Sequence, residues 1–121
     1  MVVTQTELNY IKSNWLDRVK TAITDLRLGD DNTTPTASDS SLGNFLAGGE
    51  APIESIDESI TDQLTWTAKY GITSMVGDTI REVATYDGSN IRSRDLTVVS
   101  PKSADQIFWV SVKTKITANN N

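Results

Sequence analysis

The 121-residue chain has no cysteine and no histidine. Without Cys there are no disulfides, thiol nucleophiles, Fe–S clusters or Cys-based zinc sites. Without His there is no Ser-His-Asp triad, no H-E-x-x-H metalloprotease and no imidazole acid–base chemistry near neutrality. The missing thiols fit oxidising and reducing surroundings equally, so they say nothing of compartment. Basic residues are also scarce. Eleven Lys and Arg stand against sixteen acids, a net charge of −5. That balance disfavours nucleic acid and anionic membranes as partners. No apolar run approaches the roughly 18 residues of a membrane span. Residues 1–5 lack the basic and apolar regions of a signal peptide. The expectation is a soluble, non-secreted protein of one compact domain, with no cofactor, no metal and no enzymatic activity.

What is present divides into three parts. Residues 1–28 read as an amphipathic helix. Thr4 and Glu7 have capping-box spacing, and Leu8, Ile11, Trp15, Leu16, Val19, Ala22, Ile23 and Leu26 recur at three and four. Gly29 is placed as its C-terminal cap. The stripe packs either on its own domain or on a neighbouring subunit. A strict heptad seam is excluded, because Arg18 and Asp25 fall on the second core position. Residues 29–51 read as a long polar surface loop, anchored by Leu42, Phe45 and Leu46, with one helical turn near 41–46.

From residue 52 to 118 the period changes to two. A short strand over 53–58 is followed by one in which Leu64, Trp66, Ala68, Tyr70 and Ile72 share a face. Strands follow at 79–86 and 91–99, joined at Asp87-Gly88 by a hairpin turn of the primed type. The last runs over 107–116, with Phe108, Val110, Val112 and Ile116 inward, and residues 119–121 fray. The expected fold is α+β and mainly β: an N-terminal helix, then an antiparallel β-sandwich of about five strands.

Candidate chemistry is sparse. Asp30, Asp31 and Asp39 lack the alternating spacing and distal Glu of a calcium loop and read as a solvated turn. The dispersed acids at Glu50, Glu54, Asp57, Glu58 and Asp62 show no fixed pair for glycoside hydrolysis. Asn32-Thr33-Thr34 matches a glycosylation acceptor, an incidental match here. Trp15 and Trp66 lie on apolar faces and read as core. Ile107 and Trp109 fall out of phase with Phe108 and Val110, an apolar pair on a polar face that something else must cover. Glu82 shares the inward face of Ile80, Ala84 and Tyr86, so it needs a cation, and Arg92 or Arg94 is in reach across the hairpin. A structural ion pair between Glu82 and Arg94 is expected, worth roughly 0.2–1 kcal/mol as a cross-strand pair. Leu8, Ile11, Trp15, Val19, Ile107 and Trp109 are the candidate subunit-contact residues.

Two stretches carry a resemblance. Leu28-Gly29-Asp30 through Pro35-Thr36-Ala37-Ser38-Asp39-Ser40-Ser41-Leu42 resembles an "aLGtGttaPtasDtaLg" opening. Ile80-Arg81-Glu82-Val83-Ala84-Thr85-Tyr86-Asp87-Gly88, with Ile91, Arg94, Lys102 and the strand from Val110 to Ile116, resembles "I-x-E-x-G-l-f-d…g…l-x-x-R…K…v-x-w-x-i". Both patterns belong to small structural proteins of tailed viruses, of the tail-fibre, baseplate and appendage kind. The match spans roughly residues 28–117 in order and spacing. Ala84 stands where the pattern has Gly, and Asp30-Asp31 where it has small residues. The resemblance implies a β-sandwich building block without catalytic residues. It implies a homo-oligomer, with a trimer favoured, in contact with other virion proteins in the tail or baseplate. A capsid decoration or turret protein on the virion head is the alternative. A sugar- or receptor-binding module is another; it calls for exposed aromatics near the 29–51 loop, where Phe45 stands.

Overall fold

The computed structural model describes residues 4–60, 63–99, 101, 103–104 and 106–115, with the side chains at 12, 16 and 115 outside that description. Helix α1 (Gln5–Ala22) is followed by strands β1 (Asp25–Gly29), β2 (Phe45–Asp57), β3 (Gln63–Tyr70), β4 (Ile80–Tyr86), β5 (Ile91–Val99) and β6 (Phe108–Lys115). They form one curled antiparallel sheet in the order β5-β4-β1-β2-β3-β6. The protein is therefore mainly β with one N-terminal helix.

The sheet curls at β2. Its first half pairs with β1, from Gly29 opposite Phe45 to Asp25 opposite Pro52. Its second half pairs with β3, from Ile53 opposite Ala68 to Asp57 opposite Thr65. Both pairings carry a register shift, which raises local twist and bends a strand. Leu26 and Leu28 of β1 thereby share a core with Leu64, Trp66, Ala68 and Tyr70 of β3, together with Ile80 and Val112. Burying each large apolar side chain contributes roughly 1.5–3 kcal/mol. The Tyr70 hydroxyl crosses this core and lies 3.1 Å from the Leu26 carbonyl and 3.0 Å from that of Gly49, sharing its one proton between them.

Several boundaries differ from the sequence reading. The helix expected to reach residue 28 stops at Ala22. Its first turn is capped as expected, the Thr4 hydroxyl accepting from the Glu7 N–H at 3.2 Å. Residues 25–29 form β1 instead, so six strands stand where about five were expected. Ile23 and Leu26 fit helical spacing, but Leu26 and Leu28 alternate with Asp25 and Arg27, and pairing with both β2 and β4 decides for the strand. The 29–51 segment is a loop only to residue 44. Phe45 to Glu50, with Gly48 and Gly49, lies inside β2, and the expected turn of helix at 41–46 does not form. Ile72 lies beyond the end of β3 and is exposed.

At the Asp87-Gly88 hairpin, Asp87 N–H donates to Asn90 O at 3.0 Å and Gly88 has φ 96° while Ser89 does not, the II′ form of a primed turn. Asp62, Lys102, Ile116 and the 119–121 end lie outside the described residues. No described helix is long and apolar enough to cross a membrane.

Candidate functional site

β4 presents two faces. Val83 packs with Leu26 and Leu28 on the main core. The face of Glu82, Ala84 and Tyr86 points the other way. The sequence reading expected that face inward, and it is buried. What covers it is the loop of residues 30–44, where Leu42 packs on Ala84, Tyr86 and Ile91. Ile80, ahead of the register shift in the β4–β5 pairing, joins the main core. The polar loop is thus a cover layer over one half of the sheet.

A single carboxylate holds that cover down. Glu82 is fully buried. Its Oε1 accepts from Gly43 N–H at 2.8 Å and from Arg94 Nε at 2.8 Å. Its Oε2 accepts from Asp31 N–H at 2.9 Å and Asn44 N–H at 2.9 Å. Arg94, its side chain 4% exposed, carries the grip to the middle of the loop. Its Nη1 lies 3.2 Å from Asp39 and its Nη2 3.4 Å from the Thr33 hydroxyl. The Tyr86 hydroxyl accepts from Leu42 N–H at 3.3 Å.

The electrostatics follow from this arrangement. Burial pushes the Glu82 carboxyl up, but Arg94 and the three N–H donors outweigh it and hold the group below its ordinary value. Arg94 is raised, first by its bond to Glu82. Asp39 is lowered, first by the Thr36 N–H and hydroxyl, and Asp31 by the Thr33 hydroxyl and N–H. Asp31 and Asp39 therefore act as loop-internal caps and counterions to Arg94. Among the described residues no group of three or more acids could hold a metal ion.

The expected pair of Glu82 and Arg94 is present, while Arg92 bonds Asp87 at 2.7 Å. The three main-chain donors were not legible, because every residue but Pro carries an N–H. Asp39, read as a solvated turn, is instead a partner of Arg94. Gly29, placed as a helix cap, stands opposite Glu82 at the end of β1. A Cβ there would meet the Glu82 carboxylate and lie 2.6 Å from the Asn44 carbonyl, so the close approach of the loop requires glycine.

The six candidate contact residues separate into two groups. Leu8 is buried and Val19 packs against the main core. Ile11 and Trp15, on the same helix, are 45% and 36% exposed. Trp15 was expected in the core. It is left half-covered on a helix that packs chiefly on β3. Ile107 and Trp109 are 53% and 55% exposed, and among the described residues no element covers them. Trp109 stands opposite Lys69, whose ammonium lies 5.5 Å from its ring centre. Phe45, expected to help anchor the loop and also the aromatic available beside it, is exposed, as are Val76 and Val98, which the sequence reading did not single out. Phe45 opens β2, Val98 closes β5 and Val76 lies in the β3–β4 turn, so strand direction puts all three near the end of the sheet where Ile107 leads into β6. Compared with protein-family models and with curated proteins, the chain matches none.

Proposed function

We propose that this chain is a virion structural protein of a tailed virus, a tail, baseplate or fibre component acting through subunit contacts rather than catalysis. In this reading it is a homo-oligomer, a trimer favoured, bound also to other virion proteins. Neither nucleic acid nor a membrane is its partner. The curled sheet serves as a sandwich-type building block, its β5-β4-β1 half facing its β2-β3-β6 half.

The observation that most supports this is the clamp. Gly29 and Asp39 come from the first stretch that carries the resemblance, and Glu82 and Arg94 from the second. Gly29 and Arg94 meet at the buried Glu82 carboxylate, and Asp39 joins them through Arg94. A match in order and spacing thus corresponds to one physical unit. The uncovered apolar residues at Ile107 and Trp109 supply a surface for subunit contact.

Immunogold electron microscopy of purified particles, with an antibody to this chain, is expected to place gold at the tail tip or along the fibres. Gold over the head would give the decoration reading instead. An unlabelled particle, with an antibody that binds the free protein, would overturn both. For the contact surface, Trp109→Glu is expected to lower the oligomer mass in light scattering while leaving the circular dichroism of the fold unchanged. An assembly of unaltered mass would refute the role of Trp109.

A further inference from the structure

The sheet does not close, so it has two edge strands, β5 and β6. An edge strand presents a row of unpaired N–H and C=O groups, a template for a further strand. The two edges differ. β5 is guarded: its pairing with β4 carries two register shifts, and Arg92, Arg94 and Asp95 lie along it. Bulges and charges of this kind discourage strand addition. β6 pairs with β3 in unbroken register, from Phe108 opposite Tyr70 to Lys115 opposite Gln63, and contains no proline. Among the described residues no main-chain hydrogen bond joins β6 to any strand but β3.

The outward face of β6 carries Trp109, Ser111 and Lys113, all exposed. Lys113 makes no salt bridge among the described residues. Trp109 and Lys113 stand two residues to either side of Ser111. If β6 pairs antiparallel with β6 of a second copy, Ser111 opposite Ser111, each Trp109 faces Lys113 of the other copy. Directly opposed side chains start about 4.5–5.5 Å apart, and an ammonium within ~6 Å of an indole ring is attracted to its face. On the core face the same register sets Val110 opposite Val112. Moving the axis to Lys113 would put like charges face to face, which is destabilising. The edge is therefore self-complementary about Ser111, as a two-fold contact requires.

We propose that β6 is the strand by which two copies of this chain join, edge to edge and antiparallel about Ser111, into one continuous sheet. Such a contact makes dimers, or joins two trimers whose threefold contact lies elsewhere. It rests on the subunit-contact part of the proposed function, for which it names the partner of Trp109, and not on a virion role.

The chain has no cysteine, so a single introduced thiol reports alone. Opposed residues of an antiparallel pair have Cα atoms about 4.5–5.5 Å apart, inside the range that a disulfide spans. Ser111→Cys, treated with oxidised glutathione, is expected to form a covalent dimer on a denaturing gel. Thr67 is the neighbour of Ser111 on β3. In the paired sheet it lies three strand spacings, about 14 Å, from its counterpart, so Thr67→Cys is expected to stay a single chain. Ser111→Lys sets like charges against each other on the axis. It is expected to raise the dissociation constant in sedimentation at least about fivefold, with the dichroism spectrum unchanged. If that variant unfolds, the cross-linking decides alone. A Ser111→Cys chain that fails to cross-link, or does so no faster than Thr67→Cys, overturns the edge pairing. So does a folded Ser111→Lys chain with an unaltered dissociation constant. If the wild-type chain is an oligomer in either case, the subunit-contact reading stands. A wild-type chain that sediments as a monomer throughout overturns both.

Discussion

Replacing both members of the buried pair, Glu82→Met with Arg94→Met, tests whether the clamp is an ion pair or a main-chain grip. A buried ion pair exchanged for well-packed apolar residues is often neutral or stabilising, whereas removing one partner costs about 3–5 kcal/mol. Here the carboxylate has a second duty, accepting from the N–H groups of Asp31, Gly43 and Asn44. The double variant leaves these three donors without an acceptor, at about 1–3 kcal/mol each while they remain buried. The loop escapes that cost only by lifting off, which exposes Leu42 and forfeits about 1.5–3 kcal/mol of apolar burial. By either route the double variant is expected at least about 1.5 kcal/mol below wild type. The single variant Glu82→Gln, which turns two of the four acceptor contacts into donor-to-donor clashes, is expected about 3–5 kcal/mol below it. On a chain of this size the latter lowers Tm by roughly 10–20 °C. Urea titration followed by tryptophan fluorescence gives the free energies. Hydrogen exchange at Gly43 and Asn44 reports whether the loop has lifted. A double variant within about 1 kcal/mol of wild type would refute the main-chain grip.

Three further outcomes are expected. Glu82, Asp31 and Asp39 all have lowered folded-state values, so the unfolded chain binds more protons. Their stabilisation is complete above the ordinary carboxylate range and is lost as pH falls through their lowered values, so urea midpoints should be flat from pH 7 to about 5 and drop below about 4; a midpoint that rises on acidification contradicts this. Gly29→Ala brings a methyl group against the Glu82 carboxylate and the Asn44 carbonyl, and is expected to cost more than about 2 kcal/mol in the same titration. Tyr70→Phe removes the donor shared by the Leu26 and Gly49 carbonyls and should cost about 1–2 kcal/mol without changing the dichroism spectrum.

How far the sequence carried the fold depended on whether one period dominated. In β3 the alternation of Leu64, Trp66, Ala68 and Tyr70 has no helical reading, and those four residues are core. At Leu26 the two periods overlap, three residues from Ile23 and two from Leu28, and a five-residue central strand was absorbed into the helix. The need of Glu82 for a cation was legible from its face. The loop above it was not, because its decisive groups are peptide N–H donors, which no residue type marks. Asp31 and Asp39 looked solvated for a similar reason: their partner Arg94 lies 55 residues beyond Asp39, and only folding brings them together.

The loop's attachment leaves its outward chemistry unconstrained. Glu82 grips peptide groups, Arg94 needs Asp39 and the Thr33 hydroxyl, and the only buried side chain of residues 30–44 is Leu42. Asn32, Thr34, Ala37 and Ser40 are exposed and take no part in the clamp. A lineage of such chains can therefore rewrite the outer surface of this cover, in size, charge or recognition, at almost no penalty to the fold. Only the few positions beneath it are held fixed.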